Sequence, residues 1–137
     1  MVKMRPMTEE RLNEIITYFK NKEPFKDENE IPDLPVVPKE IYDGVIVPEL
    51  IRCGAIPKDK LVSGKDYIGH CRNAHRATWV GDHFFYERYK WGYRFNESIN
   101  HFQDDDGSDL FVPIKEIKYL VQFGTIFVVN KLKIWKI

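Results

Sequence analysis

Residues 76–99 read as strand-length runs separated by glycine-bearing turns: "RATWV", "GD", "HFFYERY", "KWG", "YRFNESI". The runs are aromatic and β-branched, and a Gly-X pair between two of them suits the type II′ hairpin turn, whose backbone twist matches that of the strands it joins. An antiparallel meander is the arrangement that accommodates such runs in succession, with "DYIGHCR" (66–72) as the strand before them. The two-residue turn Gly81-Asp82 sets Val80 opposite His83, Trp79 opposite Phe84, Ala77 opposite Tyr86 and Arg76 opposite Glu87. A three-residue turn at Lys90–Gly92 places Tyr89 opposite Tyr93, Arg88 opposite Arg94 and Tyr86 opposite Asn96. A turn at residues 73–75 puts Cys71 opposite Ala77 and Gly69 opposite Trp79.

Side chains alternate between the two faces of a sheet. In this register one face carries Tyr67, Gly69, Cys71, Ala77, Trp79, Phe84, Tyr86, Arg88, Arg94, Asn96 and Ser98. Core packing uses the rings of that face and has little use for its arginines. The mixture suits a planar, anionic, nucleotide-like ligand. Trp79, Phe84 and Tyr86 would stack on a base, while Arg72, Arg88 and Arg94 would hold phosphate through their forked donors. Asn96 would read the base edge. The competing reading makes the three rings ordinary core and lets the arginines reach past them to water.

The rest of the chain frames this meander. Residues 8–20 predict a helix: Thr8 can cap it, Glu9 and Glu10 sit in its first turn, and Leu12, Ile15, Ile16 and Phe19 share one face. Prolines at 24, 32, 35 and 38 then exclude a regular helix or central strand, which leaves an extended arm. "EIYDGVIV" (40–47) reads as two strands about an Asp-Gly turn. "PELIRCGAIP" (48–57) reads as a helical turn opened by Pro48 and closed by Gly54. "LFVPI" (110–114) is a further strand. The tail from Ile114 predicts two more strands broken near Phe123-Gly124, against a competing helix over 114–122. The fold class is therefore α+β, an N-terminal helix with a mainly antiparallel β-meander. Its parts are the helix region 1–22, an acidic proline-containing arm 23–39 and a β-rich domain 40–137, together one globular unit.

Charge decides which partners are excluded. The chain has 137 residues and 43% hydrophobic residues, enough for one domain with its own core. Lysine plus arginine equals aspartate plus glutamate at 21 each, so the chain lacks the cationic footprint that duplex DNA demands. The charge is segregated, however. Residues 23–43 hold seven acids and two lysines, and residues 58–94 hold eight bases and four acids, so a net −5 arm precedes a net +4 segment. No membrane span or secretory leader is expected, which suggests the cytoplasm and reduced Cys53 and Cys71.

Motifs for catalysis are absent: there is no G-x-G-x-x-G, Walker loop, G-x-S-x-G or H-E-x-x-H. The Cys and His spacings match no zinc pattern, so no metal, cofactor or catalytic residue is assigned. The acids of "HFQDDDGSD" (101–109), with His101, leave a metal-dependent hydrolase or nuclease as a third reading.

"LIRCGAIP", "YIGHCRNAHRATW", "YERYKWG" and "INHFQDDDGSDLFVPIKEI" together resemble small accessory proteins of phages and prophages, a likeness that covers residues 47–116. The resemblance implies a host bacterial cytoplasm and a role against host defence. Two roles follow from it: binding and sequestering an anionic nucleotide-like ligand, or docking on and blocking a host defence protein. A homo-oligomer is expected from the exposed strand edges and apolar tail.

Overall fold

The computed structural model describes residues 7–104, 110–122, 125–130 and 133–136, with side chains described through Lys118. Thr8 starts the first helix as its sequence predicts. Its side-chain oxygen accepts the Arg11 backbone N–H at 3.1 Å, and helix α1 runs Glu9–Lys20. The helix turns Phe19 fully inward and packs Leu12 and Ile15 against the same core.

The proline-containing arm is not a solvated connector. Ile31, Leu34 and Val37 are buried, and each directly precedes a proline. A residue before proline is confined to extended backbone, and extended polyproline-type chain repeats every third residue. The spacing 31, 34, 37 therefore brings three apolar side chains to one face, and the arm straps that face onto the core.

Residues 40–47 correct the predicted hairpin. Lys39–Ile41 form a short helix, α2; Tyr42–Ile46 widen into a π-helical turn; Val47–Arg52 resume as α3. Val47 donates its N–H to the Tyr42 carbonyl five residues back, immediately before Pro48. Proline has no N–H to give to the Gly44 carbonyl, and its ring crowds that carbonyl in a regular helix; widening the turn relieves both. The apolar alternation that imitates a strand is overridden by burial of Tyr42, Ile46, Val47 and Leu50 along one helical side. The Tyr42 hydroxyl donates to the Phe102 carbonyl at 2.7 Å, tying this segment to the sheet. Gly54 ends α3 at φ 121°, as its sequence position predicts.

The sheet closes on itself. Strands β1 (Asp66–Cys71), β2 (Ala74–Trp79), β3 (Phe84–Lys90), β4 (Tyr93–His101) and β5 (Leu110–Glu116) form a barrel in chain order. Neighbours are antiparallel except β4 and β5, which pair in parallel over Asn100–Leu110 and His101–Phe111. The protein is thus α+β, with helices in the first half and a mixed sheet in the second. The β1–β2 turn is shorter than predicted, with Cys71 opposite Ala74 and a bulge between Ile68 and Cys71; Tyr67, not Cys71, faces Ala77, and the predicted Gly69–Trp79 pair is not made. Gly69 lies where β1 runs tightly against β5. A β-carbon there would collide with the Val112 carbonyl and stand 2.8 Å from both the Phe111 ring and Pro113 Cα. Beyond the barrel, β6 (Lys118–Gln122), β7 (Thr125–Asn130) and β8 (Lys133–Lys136) form an antiparallel three-stranded sheet, so the tail is strand and not helix. Among the described residues no helix is long and apolar enough to cross a membrane.

Candidate functional site

Trp79, Phe84 and Tyr86 share a face, as the alternation predicts, and that face is the barrel interior. All three are buried, packed with Tyr67, Cys71, Ala77 and Phe111. The Phe84 ring lies 4.9 Å from that of Trp79 and 4.5 Å from that of Phe111. Interior rings of this size each contribute about 1.5–3 kcal/mol by leaving water, so the fold accounts for them as core. Tyr86 keeps its polar end engaged: its hydroxyl donates to Glu97 Oε2 at 2.7 Å, with the Asn73 side chain as a second hydrogen-bond partner. Burial, reinforced by that carboxylate, pushes the phenol well above its ordinary pKa.

The arginine pair is placed differently from the sequence expectation. Lys90 pairs directly with Tyr93, so the β3–β4 turn has two residues, Trp91 and Gly92, and not three. Their φ angles are 53° and 79°, both positive, as in the type I′ turn that follows strand twist. Shortening a turn by one residue exchanges the faces of the return strand. Arg94 now opposes Tyr89, Asn96 opposes Glu87, and Arg88 opposes Phe95. Arg88 remains on the Trp79 side, half-buried, with Nη1 3.3 Å from Glu97 Oε1. Arg94 projects from the other side, exposed, with Nη1 3.4 Å from Glu87 Oε1 and its guanidinium 5.9 Å from the Tyr89 ring centre. Glu87, then Tyr89, raise the Arg94 pKa. The predicted face-to-face arginines are therefore separated, each beside a glutamate.

Arg72 and Asn96 are exposed. Arg72 and Tyr86 do meet along a groove of about 530 Å³ that also takes in Asn73, Asp82, His83 and Glu97. Asn96 and Arg94 lie away from it.

The third reading invoked His101, which is fully buried. Its Nε2 donates to the Ile56 carbonyl at 2.9 Å and its Nδ1 accepts the Gln103 N–H at 3.1 Å. Both ring nitrogens are engaged, and burial holds the imidazole neutral, its pKa lowered to about 4. Asp104 forms an ion pair with Lys58 at 2.6 Å, and residues 105–109 lie outside the described residues. Among the described residues no group of three His, Cys, Asp or Glu side chains is placed to hold a metal. Cys53 and Cys71 are both buried and are not joined in a disulfide.

What the sequence reading passed over is the hairpin tip. Tyr89, Trp91, Tyr93 and Phe95 are all exposed large aromatics within seven residues. Trp91 is the extreme case: 81% exposed, and the one described non-glycine residue at positive φ. Left-handed backbone costs an ordinary L-residue about 1–2 kcal/mol, and asparagine or glycine is the usual occupant of this turn position. Lys90 Nζ stands 4.4 Å from the Trp91 ring centre. The signal available in the sequence was "YKWGY", a Trp-Gly turn flanked by tyrosines. It was masked because pattern reading reserves positive φ for the glycine alone.

Comparison with protein-family models, with curated proteins and with solved structures finds no match to this chain.

Proposed function

We propose that this is a non-enzymatic binding protein that docks on a protein partner through the tip of the β3–β4 hairpin. The observation that carries the reading is Trp91, an exposed indole on strained backbone. Neither packing nor turn chemistry favours tryptophan there, and strain at an exposed position is a mark of function. Tyrosine, tryptophan and arginine are also the residues that dominate binding hot spots. A protein is preferred over a free nucleotide because Arg88 and Arg94 each already face a glutamate on the same hairpin. The resemblance to phage accessory proteins supplies a setting, in which docking occupies a host defence protein and blocks it.

A nucleotide-like ligand is the second reading, supported by the polar groove where Arg72 and Tyr86 meet.

Replacing Trp91 with Asn separates these readings. The variant is expected to gain about 1 kcal/mol of stability in urea, because the backbone strain is relieved. It is also expected to lose partner capture from nuclease-treated bacterial lysate by about thirtyfold or more, the loss of one hot-spot side chain. Lower stability with unchanged capture would mean that Trp91 is structural and would overturn the docking reading. A thermal shift with mononucleotides or cyclic dinucleotides, insensitive to Trp91→Asn, would favour the second reading.

A further inference from the structure

The barrel wall is open beside the hairpin. Strands β2 and β3 pair only at Thr78–Phe85 and Trp79–Phe84, and the Val80 N–H to His83 carbonyl bond at 3.0 Å closes their turn. Beyond Thr78 they diverge, and the predicted Ala77–Tyr86 and Arg76–Glu87 pairs are not made. On its other side β3 stays paired with β4 through to Lys90–Tyr93. Antiparallel ladders alternate, so the residues that bond across the tight turn point one way and those between them point the other. Lys90, Arg88 and Tyr86 bond toward β4. Glu87 and Tyr89 consequently turn their backbone N–H and C=O toward the gap.

A groove of about 560 Å³ fills the space between the two strands, with Asn73, His75, Arg76, Phe85 and Glu87 along it. An unpaired strand edge is a template for another strand. We infer that this gap accepts an extended, acidic strand of the protein partner, which adds to the free edge of β3. The inference rests on the docking reading for the nature of the partner. The extended form follows from the row of backbone donors and acceptors. The acidic preference follows from charge: Arg76, which lines the groove, has no acidic partner among the described residues, while the acids of the same groove are engaged, Glu87 with Arg94 and Asp66 as acceptor from the Thr78 hydroxyl. The strand would leave the gap beside Tyr89 and Trp91, so one partner could engage both features.

The test uses amide hydrogen exchange, read by NMR, with a capped Glu-Val-Glu-Val-Glu peptide as the probe and Lys-Val-Lys-Val-Lys as its control. In the free protein the Glu87 and Tyr89 amides are expected to exchange fast. Saturating acidic peptide is expected to slow both by about tenfold or more, and the basic peptide to leave them fast. Tyr89→Pro removes a gap-facing N–H, together with the ring beside Arg94, and is tolerated on an edge strand; it is expected to abolish the protection of Glu87 while β4 amides stay protected. Arg76→Glu, at an exposed position, is expected to weaken the acidic peptide and favour the basic one. Slow exchange of Glu87 and Tyr89 in the free protein, equal protection by both peptides, or no protection by the acidic one would each overturn the inference. Trp91→Asn is expected to leave peptide protection unchanged. Failure of the peptide with an intact Trp91 effect on capture thus removes strand addition alone, and the reverse removes the tip reading alone.

Discussion

His101 makes the stability of this protein depend on pH in a stated direction. The imidazole lies between the Phe84 and Phe102 rings, 6.1 and 4.3 Å from their centres, with its polar contacts to Ile56 and Gln103. Burial, the largest influence, lowers its pKa to about 4; the Ile56 carbonyl and Asp104 partly oppose this, and Lys58 adds to it. In the unfolded chain the group titrates near 6.5. Between those values the unfolded state binds a proton that the native state refuses. The native state therefore has its full stability above about pH 6.5 and loses it as pH falls toward about 4, with a slope approaching 1.4 kcal/mol per pH unit. The whole gap amounts to about 3 kcal/mol, a large part of the stability of a domain this size. His101→Gln is the reference, since an amide can keep the donor to Ile56 and the acceptor for Gln103 without titrating. Urea midpoints followed by tryptophan fluorescence, from about pH 7 to about pH 4.5, read the difference in slope. Wild type is expected to lose about 2–3 kcal/mol more than the variant over that range. Equal slopes in the two proteins would refute the reasoning.

Three further substitutions probe the scaffold. Gly69→Ala forces a β-carbon into the Val112 carbonyl and is expected to cost about 3 kcal/mol or prevent folding, measured by urea titration. Tyr42→Phe removes the buried hydrogen bond to Phe102 and is expected to cost about 1–2 kcal/mol by the same measurement, with the barrel unchanged by circular dichroism. Arg52 donates to the carbonyls of Phe19, Lys20 and Lys22 at the end of α1, at 3.3, 3.3 and 2.7 Å. Arg52→Ala is expected to cost about 1 kcal/mol and to speed amide exchange in α1 before it affects the barrel.

Much of this architecture was legible as local pattern. Thr8 with its acidic first turn marks α1, and Pro48 with Gly54 brackets α3. Strict alternation places Trp79 and Phe84 on one face, and the Gly81-Asp82 turn makes them partners. Each of these features depends on residues close together in the chain. The misreadings came where a local pattern has two solutions. "EIYDGVIV" alternates like a strand, yet its apolar residues also line one side of a widened helix, and docking against the core through Tyr42 selects the helix. "YKWGY" permits a turn of two or three residues, and that single residue decides whether Arg94 joins Arg88 or leaves it.

Taken alone, the amino-acid order determined the α+β class, helix α1, the strands of the meander and the ring-rich face, because capping, turn chemistry and period-two alternation act over a few residues. Only the tertiary structure decided that the ring-rich face is an interior, that the arm is a strap, and that β2 and β3 part company after two pairs. Those outcomes depend on β5 returning to β1 to close the barrel, a contact between residues 42 to 49 positions apart that buries one face and leaves the hairpin tip in water.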